Sequence, residues 1–198
     1  MTGPDRRRFT VTDAMVLIAA TALGLASARA LSRLALSTFG PDGAWADPIN
    51  LAYSVAFCLS QSWTFALLLL RLRRPRPGRR DLFRQPGFAA CAAVTLTAIL
   101  HVMRVLTDGA YRVFNQDPMT FLNYLAISVE DTLIYNLDEV GLDFAPAVMS
   151  VWLVQALGGV WESEPSWIDR CGRILGLFWV VSGAGLVPAY WLRDAFGG

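Results

Sequence analysis

The chain contains no lysine and one histidine, His101. A single imidazole excludes any metal site that needs two from this chain. All seventeen basic residues are arginines, which reads as genome base composition rather than chemistry. Cysteine is also scarce. Cys58, Cys91 and Cys171 lie in or beside apolar runs with no paired spacing, so neither a disulfide framework nor a zinc site is expected. Charged residues make up only 17% of the 198, against roughly 25% in soluble domains. There is no Walker loop, dinucleotide fingerprint, HExxH or GxSxG, so no cofactor and no enzymatic activity are expected.

Apolar residues fill the space instead. They make up 55% of the chain, and the mean hydropathy is +0.43. A soluble fold of this length would leave large apolar patches in water; a bilayer removes that difficulty. The arginines are grouped around the apolar runs. Arg6, Arg7 and Arg8 precede the first, and Arg71, Arg73, Arg74, Arg76, Arg79, Arg80 and Arg84 separate the second from the third. Residues 1–112 hold fourteen arginines and six acids, whereas residues 113–169 hold nine acids and no arginine. The two halves are expected to face different electrostatic environments.

Five runs read as membrane-spanning helices, at about 12–36, 49–70, 87–106, 144–161 and 172–192. Thr10 and Thr12 can cap the first, and Asp13 suits the positive end of its dipole. Its strictly apolar part stops at Ala28, before Arg29 and Arg33. Arginine near a helix end can snorkel to the interface, so a full span remains open. The same stretch also has the form of a cleavable signal peptide: three arginines, the apolar Ala14–Ala26 and the small residues Ala26-Ser27-Ala28. Pro146 is expected in the first turn of the fourth run, where its missing N–H costs nothing. The fifth run is interrupted by Gly183, Gly185 and Pro188. Residues 119–137 are apolar but hold Asn123, Glu130, Asp131 and Asn136, which fits an amphipathic or re-entrant helix better than a sixth span. The expected architecture is an all-α polytopic helix bundle forming one integral-membrane domain.

Arginine bias in short loops places both arginine blocks, and the N-terminus, on the cytoplasmic side. Residues 37–48 and the acidic 107–143 stretch then fall outside, and the 162–171 loop returns inside with Arg170. Several tryptophans, including Trp45, Trp63, Trp161, Trp167 and Trp191, sit near run ends, as an aromatic belt would.

Four groupings carry candidate chemistry. Thr97, His101, Arg104 and Asp108 share one helical stripe, where an ionisable pair can line a polar path or simply be tolerated at the interface. Glu130, Asp131, Asp138, Glu139 and Asp143 form an acidic group without EF-hand spacing, suited to a solvated outer loop, to binding Ca²⁺ or a basic partner, or to proton relay. Small residues at Ala20, Gly24, Ala28 and Ser32, and at Gly172 and Gly176, suit close helix packing; Ser54, Cys58 and Gln61 share a face suited to interhelical hydrogen bonds. The arginine block from Arg71 to Arg84 suits anionic lipid, at about 1 kcal/mol per residue near the surface. Nucleic-acid binding is not expected, because the block lacks interleaved aromatics apart from Phe83.

Two stretches, Arg7-Arg8-Phe9-Thr10-x-x-Asp13 and Trp167-Ile168-Asp169-Arg170-x-Gly172-Arg173-x-Leu175-Gly176, resemble segments of small uncharacterised multi-pass membrane proteins of planctomycete-type high-GC bacteria. That resemblance implies a bacterial inner-membrane location and imports no activity. The leading expectation is a non-enzymatic membrane component acting through partners, whether other membrane proteins or further copies of itself. A small transporter or proton-coupled channel using the Thr97–Asp108 stripe is the alternative. An intramembrane enzyme using Glu130, Asp131 and His101 is a third.

Overall fold

A computed structural model of the protein describes residues 9–39, 48–73, 79–114, 137–162 and 166–196. Among these residues every regular element is a helix and no strand occurs. The elements are α1 (Val11–Phe39), α2 (Pro48–Leu72), the short α3 (Arg79–Arg84), α4 (Pro86–Phe114), α5 (Leu137–Leu157) and α6 (Trp167–Phe196). Three helices are long and apolar enough to cross a membrane, over Val11–Arg33, Leu51–Leu72 and Pro86–Asp108. The apolar part of α5, Leu142–Leu157, is shorter. Large apolar side chains point outward on every long helix, among them Ile18, Leu69, Leu100, Leu157 and Ile174. Apolar faces of this kind mark contact with lipid or with another protein.

Helix starts follow from local capping. The Thr10 N–H donates to Asp13 Oδ2 at 3.0 Å and the Asp13 N–H donates to Thr10 Oγ1 at 3.3 Å, a reciprocal capping box. Thr12 therefore lies inside α1 and does not cap it. At α6 the Asp169 N–H donates to Ser166 Oγ at 3.3 Å, which opens that helix in the same way. The end of α5 is set by Gly158 and Gly159. Gly159 adopts φ 62°, the left-handed conformation that glycine takes at least cost. The Gly158 N–H reaches the Val154 carbonyl at 2.9 Å, and the Val160 N–H reaches that of Gln155 at 3.1 Å.

Several boundaries differ from the sequence expectation. α5 stops at Leu157, short of Trp161, and starts at Leu137, inside the stretch expected to be an outer loop. Pro146 consequently stands in mid-helix, with no N–H for the Leu142 carbonyl one turn back. The reason is visible in the chain: Asp138, Glu139 and Asp143 make this stretch read as a polar loop. Hydropathy alone does not mark such a start. α4 likewise runs on to Phe114, and α6 is continuous through Gly183, Gly185 and Pro188. Residues 119–136, with Glu130 and Asp131, lie outside the described residues.

α1 packs on α2, while α4, α5 and α6 pack around one another; α2 joins the two groups by touching α4 and α6. Ala20, Gly24 and Ala28 form the α1 side of the first interface. A Cβ on Gly24 would lie 3.0 Å from Leu59 Cα, so the helix backbones nearly touch there. The Trp63 indole N–H donates across it to Thr21 Oγ1 at 3.0 Å. At the centre, fully buried Trp179 is surrounded by Phe144, Phe178 and Phe57, with ring centroids 4.7, 5.2 and 5.4 Å away. Ala28, Leu31, Ala90, Val94 and Val148 complete this core, so every long helix contributes to it.

Candidate functional site

Two polar places stand out in this apolar framework. The first is the stripe on α4, which the structure takes apart. Thr97 Oγ1 donates to the Ala93 carbonyl at 3.0 Å, within its own helix. Arg104 Nε lies 4.0 Å from Asp108 Oδ2, and the two side chains are 79% and 56% exposed. That is the geometry of a tolerated surface pair, which contributes little. Only His101 reaches another helix. Its Nε2 lies 2.9 Å from Asp143 Oδ2 on α5, with the imidazole largely covered and the carboxylate open. The sequence grouped His101 with Arg104 and Asp143 with the acids; the fold pairs the two across α4 and α5.

The second place is the end of the bundle that carries the arginine-rich segments. Here the start of α1, the end of α2, the start of α4, the end of α5 and the start of α6 come together. Phe9 stacks edge-on against Trp167 at 5.0 Å. Leu67 and Leu70 of α2 pack with Cys91 of α4 and Ile168 of α6. The Trp152 indole N–H donates to the Pro86 carbonyl at 2.9 Å, and Gln155 Nε2 donates to the Phe83 carbonyl at 2.7 Å. Both contacts fix the α3–α4 elbow to the last turns of α5. The elbow is held again just beyond α5, where the Glu162 N–H donates to the Arg84 carbonyl at 3.0 Å and the two side chains form an ion pair at 3.0 Å.

Asp169 lies at the middle of this end. Its side chain is buried, and Oδ1 accepts the Gly87 N–H at 2.8 Å. A carboxylate thus caps the start of α4 from a neighbouring helix, which satisfies an otherwise orphaned donor and uses the positive end of the dipole. Arg173, one turn along, approaches Oδ2 at 3.2 Å as an ion pair. The backbones must come close for this to happen. A Cβ on Gly87 would collide with the Asp169 backbone oxygen, and one on Gly172 would lie 2.6 Å from the Gly87 carbonyl oxygen. Gly176 meets Trp152 and Ala90 just as tightly. The small residues on α6 are thus part of an α4–α5–α6 contact. Beside Asp169 is a cavity with room for about one water, lined by Leu67, Arg71, Gln85, Phe88 and Cys91. Burial pushes the nearby Cys171 thiol up, which disfavours a reactive thiolate.

The arginine block divides. Arg71 is only 3% exposed, so it is enclosed by protein and departs from the expectation of a lipid contact. Arg73 is exposed, and Arg84 is half open and paired with Glu162. Arg79 and Arg80 begin α3, and Arg74 and Arg76 lie outside the described residues. Sequence reasoning missed the role of Ser166, Asp169, Trp152 and Gln155. The Ser166-x-x-Asp169 spacing before an apolar run was the available signal for the first two. Among the described residues no group of three metal-ligating side chains occurs. No protein-family model, no curated protein and no solved structure matches the chain.

Proposed function

We propose that this protein is a multi-pass bacterial inner-membrane component with five spans and a cytoplasmic N-terminus, acting through protein partners as an assembly or structural subunit. The observation that carries this reading is how the buried polar side chains are used. Asp13, Ser166, Asp169 and Gln155 are spent on helix starts and on the joints between helices, which builds a rigid frame. The shared end supports the topology. Five helices alternate in direction if α1, α4 and α6 start, and α2 and α5 finish, on one side. Arginine bias makes that side cytoplasmic. α1 is retained in this reading, since Thr21 and Gly24 tie it to α2.

Reporter fusions at positions 45, 78, 115, 141, 165 and 198 test the topology. Positions 78 and 165 are expected inside and the other four outside. A cytoplasmic signal at 198 would refute five spans. An intact mass lacking the first residues would refute retention of α1. Purification from mild detergent that returned only monomer, with no reproducible partner, would count against the subunit role.

The His101–Asp143 pair favours one second reading, a small transporter, because ionisable residues placed in spans commonly line polar paths. In proteoliposomes that reading requires a flux that His101→Ala abolishes; a flux unaffected by the substitution removes it.

A further inference from the structure

α1 has two opposite faces, and the bundle uses one. On a 3.6-residue repeat Ala20, Gly24 and Ala28 fall on the stripe that meets α2. Ala22, Ala26, Arg29 and Arg33 fall on the stripe directly opposite, and all four are exposed. Only 22% of the α1 span is buried, against 44% for α2. The open stripe combines small residues with two cations near its outer end. Alanines offer acyl chains little contact area but let a helix backbone come close. Arg29 and Arg33, one turn apart, have no carboxylate partner among the described residues. Arg29 lies 18 residues past Val11, about 27 Å along the axis, close to the far edge of a hydrocarbon core about 30 Å thick.

We propose that this face of α1 docks a transmembrane helix of a partner protein that carries a carboxylate near its outer end. The inference rests on the membrane reading given above. Charge complementarity selects the occupant. A second copy joined through the same face would bring four guanidinium groups together, and like charges at this depth repel. A helix with one Asp or Glu at matching depth would pair with Arg29 and Arg33 while its backbone seats against Ala22 and Ala26.

The test uses the full-length protein, acceptor-labelled, in phosphatidylcholine vesicles. The probe is a donor-labelled synthetic transmembrane peptide of Leu and Ala with one Glu near its outer end, compared with the same peptide carrying Gln. Energy transfer should report about tenfold tighter association of the Glu peptide. The preference should vanish in Arg29→Leu/Arg33→Leu and survive Arg104→Leu. Ala22→Ile/Ala26→Ile, which keeps both charges, should weaken both peptides. Equal binding of the two peptides to the wild type would overturn the proposal. So would a Glu preference that persists in Arg29→Leu/Arg33→Leu, or self-association of the wild type that this variant abolishes. An absent Glu preference with retention of anionic lipid lost in Arg29→Leu/Arg33→Leu would assign the face to lipid and overturn it too. Release of the wild type by alkaline carbonate would refute the membrane reading and this proposal together. Loss of the Glu preference in a protein that stays embedded refutes the docking face alone.

Discussion

At the arginine-bearing end of the bundle, helix termini exchange hydrogen bonds between α3, α4, α5 and α6, and glycines allow two backbones to meet. At the opposite end, His101 meets Asp143 between helices, and an exposed Arg104–Asp108 pair lies on a single helix. The difference shows where geometry is specified. Apolar packing around Trp179 holds the helices together but tolerates sliding, because one aliphatic contact resembles another. A carboxylate that must meet one N–H does not. Register is therefore set at the arginine-bearing end, and the other end follows from it.

Substitutions can break this contrast. The largest effect is expected for Gly87→Ala, whose methyl group would collide with the Asp169 backbone. A loss of about 3 kcal/mol is expected, from overpacking, measured by unfolding in mild detergent. Gly185→Ala is the matched control, because nothing lies within 4 Å of a Cβ there. It should leave stability unchanged or raise it by up to about 1 kcal/mol through helix propensity. Comparable losses in the two variants would erase the distinction. Asp169→Ala comes next, at about 2 kcal/mol, because it strands the buried Gly87 N–H. His101→Ala should cost less, about 1 kcal/mol, since Asp143 is open to its surroundings. The smallest effect is expected for Arg104→Ala, below about 0.5 kcal/mol for so exposed a pair. A larger loss from His101→Ala than from Asp169→Ala would reverse the ranking of the two ends.

Much of the frame could be read from the chain. The apolar runs fall on α1, α2, α4, α5 and α6, because a long apolar run with few charges leaves few alternatives to a helix. The Thr10–Asp13 start was legible, since a capping box is local. The bounds of α5 were less so. Asp138, Glu139 and Asp143 look like loop residues by hydropathy yet belong to a helix. The candidate sites were the hardest part. His101 and Asp143 are 42 positions apart in sequence, and no periodicity on one helix shows what its neighbour presents. Arg71 shows the same difficulty: its place in an arginine-rich stretch suggests lipid, while its burial is decided by α4 and α6.

The contact between Gly87 and Asp169 joins residues 82 positions apart. Its donor is therefore synthesised long before its acceptor. While α5 is being made, the first turn of α4 has no lasting cap, and the place that will receive Gly172 is unfilled. α6 is then the piece that locks the assembly. A nascent chain halted before residue 166 would carry a complete α5 and still lack the lock.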